Sequence, residues 1–156
     1  TGILNRRKFF ELAASNFNKK KKNQYSVMID IDRFKNINDL FGHHMGDIVI
    51  KQVVNTIEAY VKKETLFARL GGEEFVLFGE YESKDSIYNE MEIIRKNIQD
   101  LQISEDSGKE ISVTISCGIS FYNDKFTSID ELLKDADAAL YEAKGQGRNK
   151  SVIRNS

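Results

Sequence analysis

Four groups of residues in this 156-residue chain have types and spacings that could do chemistry. The first is Asp30-Ile31-Asp32-Arg33-Phe34-Lys35. Carboxylates are uncommon inside an apolar strand unless they are paired or hold a metal. Asp30 and Asp32 are two apart, which places both on one face of a strand. The competing reading is a strand that ends at an acidic, solvated edge. A calcium loop of the helix-loop-helix kind fails. Its fifth, sixth and twelfth positions should be an oxygen donor, Gly and Glu, and here they are Phe34, Lys35 and Phe41.

The second group is Gly71-Gly72-Glu73-Glu74-Phe75. Adjacent glutamates at a turn repel each other. Water makes that cheap, and a bound divalent cation would give it a purpose. In a regular strand Glu73 and Glu74 would point to opposite faces, which suggests two different roles. The third group is Asn38-Asp39 with Gly42-His43 and Gly46-Asp47. Asn and Asp at a helix start are ordinary caps, and Asp47 also suits the positive end of a helix dipole. A carboxylate and an amide brought together can instead read the hydrogen-bonding edge of guanine. The fourth is Lys144-Gly145-Gln146-Gly147-Arg148-Asn149-Lys150. Cations at a helix C-terminus are expected from the dipole alone. With two glycines beside them they also make a cationic loop suited to phosphate oxygens. There is no Walker A pattern, and Gly145 and Gly147 are too sparse for a dinucleotide fingerprint. Taken together, the groups supply carboxylates for a metal, a purine-reading pair and cations for a triphosphate. Nucleotidyl transfer requires that set.

The elements that position these groups follow from hydrophobic periodicity. Arg6 to about Asn18 reads as a helix, with Phe9, Phe10, Ala13 and Phe17 at helical spacing. Tyr25 to Asp32 reads as a strand. A longer helix runs from about Gly46 to Lys63, with Ile50, Val53, Val54, Ile57 and Val61 as its stripe. Leu66–Leu70 and Phe75–Phe78 are strand-like runs around Gly71-Gly72, a hairpin signal. Ser86–Leu101 is helical, and Ile111–Phe121 is a β-branched strand. Ser128–Lys144 is a helix opened by a capping box of Ser128 and Glu131. Ser151–Arg154 makes a short edge strand. The order predicts an α+β fold: a mostly antiparallel central sheet of about five strands flanked by helices. A doubly wound parallel sheet is the weaker alternative.

Length and composition fit one domain over residues 1–156, with 40% apolar and 30% charged residues. The formal net charge of -1 removes the global basic field of most nucleic-acid binders. One Cys excludes an internal disulfide, and one Cys with two adjacent His cannot readily build a zinc site. No apolar run reaches the roughly 20 residues of a membrane span, so no direct membrane contact is expected of this domain. The run Lys19-Lys20-Lys21-Lys22 reads as a solvated loop rather than a binding patch.

The motifs together resemble the GGDEF domain, the diguanylate cyclase family, in its GGEEF form. The likeness runs the whole length. Thr1-Gly2-Ile3-Leu4-Asn5-Arg6-Arg7 is similar to the family's opening, with Leu4 where the family has proline. Asp30 to Asp39 and Gly42-His43 through Gly46-Asp47 match its strand-to-helix signature. Arg69-Leu70-Gly71-Gly72-Glu73-Glu74-Phe75 is the naming motif. Ala136-Asp137, Ala139-Leu140-Tyr141, Ala143-Lys144 and Gly147-Arg148-Asn149 complete the tail.

The resemblance implies a fold similar to the palm of polymerases and adenylyl cyclases. It implies condensation of two GTP into cyclic di-GMP with release of two pyrophosphates, across a head-to-tail homodimer. Asp30 and Glu74, with the carbonyl of Ile31, would hold Mg²⁺ or Mn²⁺. Glu73 would lie near the metals as a candidate general base. Asn38 and Asp47 would read guanine. Lys35, Lys144 and Arg148, with backbone N–H groups near Phe34, would hold phosphates, and His43 belongs to the same substrate set. The family's product-inhibition site carries Arg-x-x-Asp where this chain has Lys62-Lys63-Glu64-Thr65, so that site is expected to be absent. The likeness also implies the C-terminal part of a longer cytoplasmic signalling protein, with a sensory or dimerisation domain upstream. The alternative function is a catalytically weak GTP-binding regulatory domain.

Overall fold

The computed structural model describes residues 3–17, 23–105 and 108–154. Its centre is β2, Gln24–Ile31, in which every residue is buried. Both faces of β2 must therefore be covered, and its alternation divides the core in two. Val27, Ile29 and Ile31 point to one face, and Met28 to the other.

Antiparallel neighbours flank β2: β4 (Glu74–Glu80) on one side and β7 (Ile115–Phe121) on the other. Beyond β4 lie β3 (Leu66–Gly71), antiparallel to it, and then β1 (Ile3–Leu4), parallel to β3. Beyond β7 lies β8 (Ser151–Arg154), parallel to it. The sheet order is β1-β3-β4-β2-β7-β8. The centre is antiparallel and the edges are parallel, so the α+β expectation of a mostly antiparallel sheet holds. Among the described residues this sheet has six strands rather than about five, because the two-residue β1 is too short to show a period.

The helices are α1 (Arg6–Phe17), α2 (Phe34–Phe41), α3 (His43–Tyr60), α4 (Lys84–Gln99) and α5 (Ile129–Gly145). Phe9, Ala13 and Phe17 of α1 pack with Leu132, Ala136 and Leu140 of α5 on the Met28 face. Residues of α2, α3 and α4 cover the opposite face. The approach of α5 is unusually close. A Cβ on Gly118 of β7 would lie 2.1 Å from the Ala136 carbonyl oxygen and 2.2 Å from the Leu140 nitrogen. Only glycine allows the helix backbone to lie there.

Beyond shifts of one to three residues at element ends, three features differ from the sequence reading. First, the long helix begins at His43 rather than Gly46, and a separate helix α2 precedes it. Gly42, at φ 90°, makes the corner between them. Second, the run from Ile111 to Phe121 is two strands. Glu110–Ile111 (β6) pairs with Ile103–Ser104 (β5) in a separate small sheet, and β7 begins at Ile115. The break falls where β2 ends at Ile31, opposite Ile115, and Arg33 turns into the left-handed region at φ 56°. Third, the α5 capping box is only half formed. The Ser128 hydroxyl accepts from the Glu131 N–H at 3.3 Å, but the Glu131 carboxylate reaches Thr127 instead of Ser128. The run Lys19–Lys22 and the opening Thr1-Gly2 lie outside the described residues.

Candidate active site

The carboxylates of the first two groups meet because of sheet register. Asp30 stands directly opposite Glu74 in the β2–β4 ladder. One step further, the Ile31 N–H donates to the Glu73 carbonyl at 3.2 Å, which ties the hairpin tip to the end of β2. The tip is shaped by a bulge between Arg69 and Gly71 and by Gly72 at φ 42°. The Arg69 side chain closes it by donating to the Gly72 carbonyl at 2.8 Å. Glu73 is half-buried and Glu74 exposed.

Asp30 is 5% exposed, and its Oδ2 is paired with the Lys144 ammonium from the last turn of α5. Its Oδ1 is buried with no hydrogen-bond partner. Burial raises its carboxyl above the ordinary range. The Lys144 hydrogen bond and charge pull it back, and the charges of Glu73 and Glu74 push it up again. Both glutamates thus act on Asp30 electrostatically. Among the described residues, no three His, Cys, Asp or Glu side chains already enclose a common point. The cluster therefore has one fixed, buried carboxylate, while the two glutamates have three rotatable bonds each with which to approach it.

Asp32 separates from Asp30 in its surroundings. It is 6% exposed and accepts from the Thr114 and Ser116 hydroxyls, each at 2.7 Å, and from the Asn149 N–H at 3.0 Å. Both of its oxygens are occupied by the protein itself. The solvated-edge reading fails for both aspartates, since both are buried.

Asn38 sits inside α2 rather than at a helix start, and Asp47 lies past the first turn of α3, where no acidic residue caps the helix. Capping therefore explains neither. The Asn38 Oδ1 is buried without a partner. It lies over Gly46, where a Cβ would come within 2.0 Å of it, one residue from the exposed Asp47. Gly46 is thus the residue that makes room for the Asn38 amide. Phe34 is buried at the start of α2, and Lys35 and His43 are exposed. The first intrahelical bond of α2 runs from the Ile37 N–H to the Arg33 carbonyl at 3.2 Å. The N–H groups of the turn before it point out of the helix end.

The turn after α5 is left-handed at three successive residues, with φ of 112° at Gly147, 66° at Arg148 and 50° at Asn149. The Arg148 N–H donates back to the Ala143 carbonyl at 3.0 Å. Sequence reasoning missed the supports of this turn. They are Ser116, whose hydroxyl oxygen accepts from the Asn149 N–H, and Arg95, a buried cation on α4 whose place on the apolar stripe was its only sequence signal.

The family model for the diguanylate cyclase GGDEF domain matches residues 1–150. The chain belongs to the GGDEF family. It is 43% identical over 134 residues to diguanylate cyclase A of Treponema denticola, covering 86% of this chain and 36% of the relative. It is 39% identical over 153 residues to diguanylate cyclase DgcM of Escherichia coli K12, covering 96% of this chain and 36% of the relative. The chain thus spans about a third of the length of these curated relatives. Among solved structures, the GGDEF domain of DgcB from Caulobacter crescentus, in complex with c-di-GMP, superposes with a TM-score of 0.93. Its identity is 28%, with 100% of this chain and 94% of that one covered. An active GGEEF domain of a diguanylate cyclase from Vibrio cholerae gives a TM-score of 0.90 at 29% identity, with 99% of each chain covered. In this GGDEF domain the naming motif is the tip of the β3–β4 hairpin.

Proposed function

We propose that this GGDEF domain condenses two GTP into cyclic di-GMP, releasing two pyrophosphates. The observation that carries the reading is the buried Asp30, opposite Glu74, with one oxygen unpartnered and the other on Lys144. A buried carboxylate oxygen without a partner is costly unless a cation completes it. The donor set fits a hard divalent ion, since Asp30, Glu73, Glu74 and the Ile31 carbonyl offer only oxygen. When bound, Mg²⁺ or Mn²⁺ would neutralise phosphate charge and acidify the attacking 3′-hydroxyl.

The chain's own residues do the remaining work. Asn38, with its free Oδ1, and Asp47 orient guanine: Asp47 accepts from ring N–H and amino groups, and the Asn38 amide both donates and accepts. Lys35, Lys144, Arg148 and the outward N–H groups at Phe34 hold the triphosphate, and His43 borders the same site. Glu73 takes the proton of the 3′-hydroxyl as that oxygen attacks the α-phosphorus of the facing GTP. The bond from that phosphorus to the bridging oxygen breaks, and pyrophosphate leaves. Each domain holds one GTP, so ring closure requires two domains face to face. In the whole protein an additional segment would bring them together in the cytoplasm. Lys62–Thr65 lies at the far end of β3 from the tip and lacks the Arg and Asp that would bind product there. The test is to incubate the protein, forced into a dimer, with GTP and Mg²⁺. Cyclic di-GMP and pyrophosphate in a 1:2 ratio support the reading, and intact GTP at high protein concentration refutes it.

A further inference from the structure

Two consecutive non-glycine residues in the left-handed region are uncommon; Asn tolerates that region, but a long side chain such as Arg is held there only by its surroundings. Arg148 and Asn149 are such a pair. Their surroundings can be traced bond by bond. The Asn149 N–H donates to the Asp32 carboxylate at 3.0 Å and to the Ser116 hydroxyl oxygen at 3.2 Å. The Asn149 side-chain oxygen accepts from an Arg95 Nη1 at 2.7 Å. Arg95 is 8% exposed and is itself held by a two-pronged pair with Glu92, at 2.7 and 2.8 Å. The Gln99 side-chain oxygen lies 3.5 Å from the same Nη1. A guanidinium fork thus spans α4 and the turn after α5, and a lysine could not reach both partners in that geometry.

We propose that Arg95 is a positioning residue for Arg148: by fixing Asn149 it presets the left-handed turn that presents Arg148 to the triphosphate. It touches no substrate and acts only through Asn149. The inference rests on the reading of Arg148 as a phosphate holder. Preorganising that cation avoids the ordering loss that a mobile side chain would suffer on binding.

The test is a double-mutant cycle on the full chain. Its readout is the Kd, by calorimetry with Mg²⁺, for a GTP analogue carrying a methylene at the α–β bridge, together with the melting temperature. Arg95→Gln is expected to weaken binding roughly five- to tenfold when Arg148 is present, and by less than about twofold in the Arg148→Ala background. Asn149→Gly keeps the left-handed turn accessible without steric penalty and removes the Arg95 link. It should fold as the parent does and show the same five- to tenfold loss, even if Arg95→Gln compromises folding. Equal losses with and without Arg148, or parental affinity in Asn149→Gly, would overturn the inference and leave the site reading intact. An Arg148→Ala variant with unchanged affinity would instead remove Arg148 from the phosphate site, and the inference with it.

Discussion

Two turns in this domain carry candidate chemistry, and they are built in opposite ways. The hairpin tip at Gly71–Glu74 is exposed or half-buried and is closed by one backbone tie from Ile31 and one side-chain bond from Arg69. The turn at Gly147–Asn149 is held by Ala143, Asp32, Ser116 and Arg95 from α5, the end of β2, β7 and α4. In the proposed reading the first leaves carboxylates to gather round an ion, and the second fixes the backbone that carries Arg148 before any ligand arrives. In the proposed reaction the glutamates respond to the metal and the substrate hydroxyl, while the phosphate site is preset. Rigidity is placed where charge must wait for substrate, and freedom where coordination must be completed by it.

The largest expected effect falls on the tip. Glu74→Gln should lower cyclic di-GMP formation by roughly 10²- to 10³-fold, the scale of losing one charge stabiliser in the transition state. Because Glu74 is exposed, stability should move by no more than about 0.5 kcal/mol. Initial rates by product chromatography, paired with a denaturant midpoint, check both halves. A large loss of stability would mean that the tip is structural and the contrast false.

Gly118→Ala attacks the foundation of the other turn. The new methyl would meet the Ala136 and Leu140 backbone, and overpacking of this kind costs about 1–3 kcal/mol or more. The urea midpoint should fall with an unchanged slope. Activity should fall with it as α5 lifts Lys144 away from Asp30, while the tip stays intact.

Much of this was legible in the sequence. The apolar stripes of α1, α4 and α5, the alternation of Val27, Ile29 and Ile31 in β2 and the Gly-Gly hairpin each follow a pattern that one chain displays. Helix α2 was not legible. Its Asn38-Asp39 looks like a cap, and only Gly42 at positive φ shows that one helix ends there and another begins. The split of Ile111–Phe121 was hidden for a related reason. Ser112, Val113 and Thr114 have strand-like side chains, but β2 has already ended and offers no ladder to pair with. At the site, the residue types of the proposed metal, base and phosphate groups could be read locally. The different fates of Asp30 and Asp32 could not, because they depend on Lys144, Ser116, Thr114 and Asn149, all far along the chain. Arg95 was masked by its apolar neighbours Ile94 and Ile98.

The smallest expected effect concerns the outermost support of the second turn. The hydrogen bond from Arg95 holds the Glu92 carboxyl below its ordinary value of 4.5, against the opposing effect of burial. A carboxyl lowered on folding stabilises the native state above its unfolded pKa and loses that contribution as pH falls through the folded one. Melting temperature should therefore drop as pH is taken from above 4.5 downward, and Glu92→Gln should flatten that part of the curve. A variant curve parallel to the parent's would show that the Arg95–Glu92 pair adds no pH-dependent stability to this support.

The most direct measurement of the central claim is the product of GTP turnover. The protein, fused to a dimerising segment, is incubated with GTP and Mg²⁺, and the nucleotides are resolved by mass spectrometry alongside released pyrophosphate. Cyclic di-GMP with two pyrophosphates per ring, lost in Glu74→Gln, is the predicted result. GTP that binds but stays intact, or a Glu74→Gln variant as active as the parent, would contradict the account.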